Sequence, residues 1–179
     1  MSRLTLLVGG ARAGKSSLAE RMALASGMPV TFIATATADD EDMRRRIARH
    51  RAERPADWVT VEEPRDLAAA LGTAAAGHVV IVDCLTLWTT NMVLAGHDDA
   101  AVAVAAGAAV RAAASRAAPV VVVTNEVGLG VVPASALGRT YRDTHGMVNR
   151  QWSRAADAAY LVVAGRAMPL PPCDEVPGL

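Results

Sequence analysis

The segment from Gly9 to Ser16 has the residue types and spacing of a phosphate-binding loop. It reads GGARAGKS and fits the pattern G-x-x-x-x-G-K-[ST] at every fixed position. Glycines let the backbone turn tightly, so that successive N–H groups converge on phosphate oxygens. The lysine supplies a charge for the β- and γ-phosphates, and the serine hydroxyl can ligate Mg²⁺. We therefore predict a phosphate cradle made of Gly9, Gly10, Ala11, Arg12, Ala13, Gly14, Lys15 and Ser16. Within it, Lys15 is a candidate catalytic residue and Ser16 a candidate metal ligand.

A single carboxylate closes the clearest buried strand of the sequence. Residues 79–82 form a continuous apolar run, and Asp83 follows them directly. In P-loop enzymes an aspartate at this point lies beside the phosphate loop and holds Mg²⁺ directly or through water. The alternative role for Asp83 is to cap the helix that begins at Leu85. The position of this strand after the P-loop favours metal binding.

Small polar residues follow two further strands. Ala34-Thr35-Ala36-Thr37 comes at the end of the second apolar run, and Thr124-Asn125-Glu126 follows the apolar residues 120–123. Open α/β sheets bind their ligands outside the carboxyl ends of the strands. We therefore expect these segments to face the same crevice as Asp83.

A histidine lies among six arginines in the segment 43–54, MRRRIARHRAER. On a helix, Arg46, His50 and Arg54 are spaced i, i+4 and i+8 and share one face. One interpretation is a solvated basic helix with an incidental histidine. A second is nucleic-acid binding, which is weaker because the arginines surround the helix and nearby carboxylates offset them. The third is covalent chemistry, since a neutral imidazole is a nucleophile and guanidinium groups would disfavour its protonation and stabilise a triphosphate.

The elements that must position these residues alternate along the chain. We predict strands at 4–8, 30–34, 58–61, 79–83, 120–123 and 158–163. Helices are predicted at 16–25, 39–54, up to about 75, from 85, at 100–117 and at 148–156. This alternation predicts an α/β fold with a mostly parallel sheet and helices on both faces. Right-handed crossovers then bring the strand ends at Val8, Ala34, Asp83 and Thr124 to one edge.

Length and composition limit the remaining choices. The chain has 179 residues and a formal net charge of zero, so no overall field favours DNA, RNA or an anionic membrane. Its two cysteines lack C-x-x-C spacing, and no apolar stretch is long enough for a signal peptide or a membrane span. We expect a soluble cytoplasmic protein with one domain, residues 1–168, and a proline-rich irregular tail, residues 169–179.

The order of the motifs resembles the bifunctional adenosylcobinamide kinase/adenosylcobinamide-phosphate guanylyltransferase family of cobalamin synthesis. The resemblance runs from the first strand to about Val163. The P-loop by itself indicates only a nucleotide, whereas VDCLTLW and NEVG-x-G-[VI]-VP are more selective. The motifs are GGARAGKS, IATA, RIARHRAERP, the W-x-T-x-E of 58–62, VDCLTLW, TNEVGLGVVP, the RTYRD of 139–143 and GMVNRQ.

The resemblance implies a RecA-like P-loop fold, usually in a homotrimer, and two reactions. In the first, ATP or GTP phosphorylates the aminopropanol hydroxyl of adenosylcobinamide. In the second, a histidine attacks the α-phosphorus of GTP, releases pyrophosphate and carries GMP to the cobinamide phosphate, which gives adenosylcobinamide-GDP. His50 matches the guanylylated histidine of the family.

The resemblance also assigns nucleotide-binding residues beyond the P-loop. Residues expected to line the nucleotide site are Ala34, Thr35 and Ala36. Those expected to contact GTP near the transferred group are Arg51, Ala52, Glu53 and Arg54. Glu62 and Asp83 are expected to contact the nucleotide or its Mg²⁺.

Other polar and aromatic residues receive mostly structural roles. We expect His78 and His97 to be solvated loop residues and Cys84 to be unreactive. His145 is assigned either to a surface loop or to an approach toward substrate or a neighbouring subunit. The tryptophans are expected to pack in the core rather than against the corrin, and the remaining candidates, for corrinoid binding or trimer contacts, are Arg139, Arg142 and Asn149.

Two rival functions remain open at this point. A single-activity P-loop kinase acting on another small alcohol would leave His50 structural and would form no covalent nucleotide. A RecA-like ATPase whose basic helix binds nucleic acid would show DNA- or RNA-stimulated hydrolysis that falls steeply with salt.

Overall fold

The structure, a computed structural model, describes residues 3–38 and 40–173, without the side chain of Arg46. Asp39, where the second predicted helix begins, and the end of the predicted tail lie outside these residues. The elements in chain order are β1 (Leu4–Gly9), α1 (Lys15–Ala25), β2 (Val30–Ala34), α2 (Glu41–Ala52), β3 (Val59–Glu62), α3 (Leu67–Thr73), β4 (Val79–Asp83), α4 (Leu85–Leu94), α5 (Asp99–Ala114), β5 (Val120–Asn125), α6 (Ala136–Ala155), β6 (Ala158–Val163) and β7 (Arg166–Pro169).

The strands form one sheet in the order β3-β2-β4-β5-β1-β6-β7. All neighbouring pairs are parallel except β6 and β7, which are antiparallel. The predicted mostly parallel sheet is therefore confirmed. The first strand lies between β5 and β6, which come from the last third of the chain.

Both faces of the sheet are covered, which explains why its central strands read as unbroken apolar runs. In β4, Val80 and Val82 pack into the core on one face, while Val79 and Ile81 pack into the core on the other. The first face is covered by side chains of α3, α4, α5 and α6, and the second by α1. Helix α2 has no fully buried side chain among those described, so it lies at the margin of the molecule.

Helix α6 is much longer than the predicted helix at 148–156. Ser135 caps it, with its Oγ accepting a hydrogen bond from the N–H of Gly138 at 3.0 Å. Its buried side includes Thr144, His145 and Asn149 beside Val148 and Trp152. Because the inward face is largely polar, a search for apolar periodicity finds only its last turns.

The hairpin of β6 and β7 was not predicted. A tight turn at Ala164 and Gly165, both with positive φ, returns the chain along β6. Met168 pairs with Leu161, and Pro169, the first residue of the tail that we expected to be irregular, pairs with Tyr160. Pro169 can end β7 because an edge strand does not need every N–H of its outer side.

Candidate active site

The carboxyl ends of the parallel strands meet as predicted. Ala34 lies opposite Asp83, and Gly9 lies opposite Asn125. Side chains alternate along a strand, so Asp83 shares the face of Ile81, and Asn125 shares the face of Val123. That is the face covered by α1. The two polar side chains therefore lie on the same side of the sheet as the P-loop and the start of α1.

The P-loop joins β1 to α1 with a backbone that only particular residues allow. Gly14 precedes the helix at φ 99°, in the left-handed region that favours glycine. Gly9 lies so close to β6 that an added Cβ would meet the carbonyl oxygen of Val162 at 2.2 Å. Lys15 is buried, and its Nζ donates to the carbonyl oxygens of Gly9 at 3.0 Å and Gly10 at 2.6 Å. The loop is thus folded around its own lysine.

A cavity of about 260 Å³ lies over the P-loop. Residues of the loop line it, together with Asp83 and Asn125 from the ends of β4 and β5 and His50 from α2. Positive charge from Lys15 and Arg49 and the N-terminus of α1 favour an anion here. Its full lining is Ala11, Arg12, Ala13, Gly14, Lys15, Ser16, Ser17, Arg49, His50, Asp83, Cys84, Val123 and Asn125.

A second cavity of about 400 Å³ lies between α2 and the ends of β2, β3 and β4. Part of its wall is apolar, from Met43, Ile47 and Leu87, and part is charged, from Arg51 and Glu62. Such a mixture suits a ligand that combines a flat apolar body with polar groups. The remaining lining residues are Ser16, Ala34, Ala36, Thr37, Ala38, His50, Arg54, Pro64, Asp83 and Cys84.

His50 lies where the two cavities meet. It lines both of them, as do Ser16, Asp83 and Cys84. The side chain is half-buried near the end of α2, so it is accessible from either cavity. An imidazole in this position can reach a molecule whose phosphates lie over the P-loop and whose remainder occupies the second cavity.

Charged groups on the wall of the second cavity are arranged around Arg54. Arg51 Nη1 donates to Glu62 Oε1 at 3.2 Å. The Arg54 guanidinium lies over the ring of Phe32, 3.7 Å from its centroid, and burial lowers its pKa. Its Nε is buried without a hydrogen-bond partner among the described residues. Burial, followed by the charge of Asp83, raises the pKa of Glu20.

Not every predicted site residue lines a cavity. Thr35 is fully buried, and its Oγ1 donates to the carbonyl oxygen of Cys84 at 2.7 Å, so its role is to join β2 to β4. Ala52 and Glu53, at the end of α2, are not among the residues that line either cavity. Gly9 and Gly10 contribute their carbonyl oxygens to Lys15 rather than lining the cavity.

Asn91 on α4 is a functional candidate that the sequence analysis missed. Its Nδ2 donates to the carbonyl oxygen of Thr35 at 2.8 Å and to that of Pro64 at 3.0 Å. Its Oδ1 accepts from the Thr37 hydroxyl at 3.4 Å. One carboxamide therefore holds the segments after β2 and after β3, which form one wall of the second cavity. No spacing in the sequence signals this role.

The expectation of a surface loop at His145 is wrong. The residue is fully buried in α6, and Asn149 is also buried there. Both side chains bond to residues at the end of β5, and Asn149 therefore lies inside the subunit. Arg139 donates to the carbonyl oxygens of Pro133 and Ala134 at the start of α6.

Other expectations about single residues are partly confirmed. The three tryptophans are buried, as predicted. Burial raises the pKa of the Cys84 thiol to about 11, which agrees with an unreactive cysteine. His97 is exposed, as expected, but His78 is half-buried with its Nδ1 bonded to Thr31 Oγ1 at 3.0 Å.

The described residues contain no group of three or more His, Cys, Asp or Glu side chains placed to hold a metal ion. Ser16 and Asp83 nevertheless line the same cavity beside the P-loop. Mg²⁺ in nucleotide enzymes usually keeps several waters and binds through one or two carboxylates and the substrate phosphates. This pair of oxygen donors fits that manner of binding. Within the described ranges, no helix is both long and apolar enough to cross a membrane.

Solved structures support the fold class. The flagellar accessory protein FlaH from Methanocaldococcus jannaschii superposes with a TM-score of 0.51 at 15% identity, over 94% of this chain and 77% of that one. The RadB recombinase superposes with a TM-score of 0.51 at 17% identity, over 88% and 73%. The fold is RecA-like, as predicted.

Curated proteins match this chain at much higher sequence identity than these solved structures do. The bifunctional adenosylcobalamin biosynthesis protein CobP of Pseudomonas aeruginosa is 46% identical over 92% of this chain and 95% of its own length. The proteins named CobU from Salmonella typhimurium and Escherichia coli are 38% and 39% identical over 90% of this chain and 96% of theirs. The family described as cobinamide kinase / cobinamide phosphate guanyltransferase matches residues 5–170, and the chain belongs to that bifunctional enzyme family.

Proposed function

We propose that this protein phosphorylates the aminopropanol hydroxyl of adenosylcobinamide and then transfers GMP from GTP to the phosphate through a covalent GMP adduct of His50. The observation that carries the proposal is the position of His50 on the wall common to both cavities. A nucleotide with its phosphates over the P-loop and its remainder in the second cavity would pass directly beside this imidazole.

The kinase reaction uses the P-loop side of the site. The backbone N–H groups of the loop and the charge of Lys15 would bind and orient the β- and γ-phosphates. The substrate hydroxyl oxygen forms a bond to the γ-phosphorus, the bond to the β,γ-bridging oxygen breaks, and the nucleoside diphosphate leaves. The hydroxyl proton is lost to water or to a nearby carboxylate, for which Glu20 is a candidate because burial, followed by the charge of Asp83, raises its pKa.

Ser16 and Asp83 would hold Mg²⁺, which supplies charge neutralisation for the phosphates when it is bound. Both residues line the P-loop cavity, and Asp83 ends β4 directly beneath it. We predicted both as ligands from the sequence, and their shared cavity supports that assignment.

The guanylyl transfer uses the imidazole as a nucleophile. A ring nitrogen of His50 attacks the α-phosphorus, a nitrogen–phosphorus bond forms, and the bond to the bridging oxygen breaks, so that pyrophosphate leaves. The ring loses its proton to solvent. A phosphate oxygen of the cobinamide phosphate then attacks the same phosphorus, and the nitrogen–phosphorus bond breaks. Arg51, Arg54 and Glu62 lie on the wall of the cavity that would hold the rest of the nucleotide.

The assembly and compartment belong to the proposal as well. We expect a homotrimer, as the family resemblance implies, and a cytoplasmic location, where ATP and GTP are supplied. Both cysteines, Cys84 and Cys173, are free, in keeping with a reducing compartment. Light scattering coupled to size-exclusion chromatography would measure the mass in solution.

The covalent step is tested with Mg²⁺ and GTP labelled on the α-phosphate. After denaturation, wild-type protein should carry an acid-labile, base-stable label, and His50→Ala should carry none. His97→Ala is the matched control, because that histidine is exposed and lines neither cavity. If folded, GTP-binding wild-type protein takes no label while phosphorylation of adenosylcobinamide persists, a kinase without the covalent step becomes the correct account.

A further inference from the structure

The last residue of β5 is held by three side chains from two helices. The N–H of Asn125 donates to Thr86 Oγ1 of α4 at 2.8 Å. Its carbonyl oxygen accepts from His145 Nε2 and from Asn149 Nδ2 of α6, both at 3.0 Å. Both backbone groups of Asn125 are therefore bonded to side chains. At most strand ends, these groups bond to a neighbouring strand or to water.

The Asn125 side chain faces the opposite way, toward the P-loop. Thr124 points to α6, where its Oγ1 donates to Asn149 Oδ1 at 2.7 Å. Alternation along the strand then turns Asn125 to the face of Val123, and both residues line the P-loop cavity with Lys15. The next residue, Glu126, ties this strand end to the loop, because its N–H donates to the carbonyl oxygen of Gly9 at 3.2 Å.

His145 is suited to fix this arrangement. A carbonyl oxygen can only accept, so the ring nitrogen Nε2 facing Asn125 must carry a hydrogen. Nδ1 lies 3.0 Å from Thr89 Oγ1, and the ring stacks on Tyr141 with centroids 5.6 Å apart. The ring is fully buried, so its contacts hold its orientation.

We propose that Asn125 is a catalytic residue of the kinase reaction, whose carboxamide contacts the γ-phosphoryl group in transfer, and that His145 is the positioning residue that sets its direction. The proposal rests on the kinase activity of the family and not on the covalent role of His50. An amide N–H₂ group can donate to an equatorial oxygen of the transferring phosphoryl group, on which charge is spread in the transition state.

The two reactions of the enzyme separate this role from simple nucleotide binding. Phosphoryl transfer breaks a bond at the γ-phosphorus, whereas guanylylation of His50 breaks one at the α-phosphorus. A donor that acts on the γ-phosphoryl group in transfer lowers kcat of the first reaction when it is removed, and leaves the second reaction nearly unchanged.

The experiment measures both reactions in the full-length protein. Asn125→Ala should lower kcat for phosphorylation of adenosylcobinamide by about 10²-fold, as the loss of one transition-state donor does, with KM for the nucleotide within a few-fold. The rate of covalent labelling by GTP should stay within about threefold, since the change is not at the α-phosphorus.

His145 is tested with two substitutions and a control on the same helix. His145→Ala should lower kcat of the kinase about tenfold by letting Asn125 turn, and His145→Gln, which can place an amide N–H near the position of Nε2, should restore most of it. Val148→Ala is the control, because Val148 is fully buried in α6 and has no polar group. It should lower thermal stability and leave kcat unchanged.

Three results would overturn the proposal. One is an equal loss in both reactions of Asn125→Ala, which would show general nucleotide binding. Another is an unchanged kinase kcat in that variant. The third is a kinase kcat in Val148→Ala that falls as far as in His145→Ala, which would show that stability alone is being measured. Absence of any covalent label in the wild type would instead refute the adduct on His50 and leave the kinase comparison intact.

Discussion

Replacing Asn91 with alanine tests whether its side chain holds the wall of the second cavity in place. The substitution removes both donors to the carbonyl oxygens of Thr35 and Pro64 and the weaker contact with Thr37. Each well-formed hydrogen bond contributes about 1 kcal/mol net, and a half-buried carbonyl that loses its partner costs somewhat more. We therefore expect the free energy of unfolding to fall by about 2–3 kcal/mol.

The functional effect should be selective for the nucleotide that we propose to occupy this cavity. The segments released by Asn91→Ala include Ala36, Thr37 and Pro64, which line it. About 1.4 kcal/mol of lost preorganisation corresponds to tenfold weaker binding, so KM for GTP in the labelling of His50 should rise about tenfold. Asn91→Asp should be at least as damaging, because a carboxylate would face two carbonyl oxygens and offer them no hydrogen.

Urea unfolding and covalent labelling at several GTP concentrations measure the two effects. Thr90→Ala is the matched control, since the Thr90 hydroxyl donates at 3.0 Å to the Thr86 carbonyl of its own helix and Thr90 does not line the second cavity. The reasoning is refuted if Asn91→Ala binds GTP as wild type does, or if Thr90→Ala raises KM to the same extent.

Three further predictions concern the frame around the site. Gly9→Ala should abolish nucleotide binding in both reactions, because the new Cβ would lie 2.2 Å from the Val162 carbonyl oxygen; retained binding in equilibrium dialysis would contradict the close approach. Arg116→Met should lower the free energy of unfolding by about 3 kcal/mol while activity per folded molecule is kept. The exposed Arg111→Met should leave both stability and activity unchanged. The buried guanidinium of Arg116 donates to the carbonyl oxygens of Leu71, Ala74, Ala75 and His78. Burial lowers the pKa of His145, partly opposed by its bond to the Asn125 carbonyl and by the charge of Glu126. The unfolded chain then takes up the proton at higher pH than the folded one, so stability is lost as the pH falls below about 6.5. The urea midpoint should therefore change more between about pH 7.5 and about pH 5.5 in the wild type than in His145→Gln. An equal change in the two proteins would refute this.

The sheet and its active edge were predictable because their rules are local. The unbroken apolar run 79–82 indicates a strand covered on both faces, and its position after a P-loop predicts that Asp83 lies beside that loop. Ala34 pairs with Asp83, and Gly9 pairs with Asn125, because each is the last residue of its strand and the neighbouring strands are parallel.

What escaped prediction depends on contacts between distant segments. Helix α6 turns a polar side toward β5, so its apolar pattern is broken and the burial of His145 was not predicted. The division into two cavities depends on where α2 lies at the edge of the sheet, and its two apolar lining residues, Met43 and Ile47, form too short a stripe to predict this. Glu20, Phe32 and Asn91 belong to no recognisable motif, and only the folded structure shows that they lie near the site.

The placement of β1 has a consequence for synthesis of the chain. The strand that leads into the P-loop has β5 and β6 as its neighbours, and the second of these ends only at Val163. While the ribosome is still making the first two-thirds of the protein, the opening strand has no partner, and its contacts are of high sequence separation. Nucleotide binding should therefore appear late, when nearly all of the chain has emerged. In a nascent-chain assay, it would report completion of the whole fold.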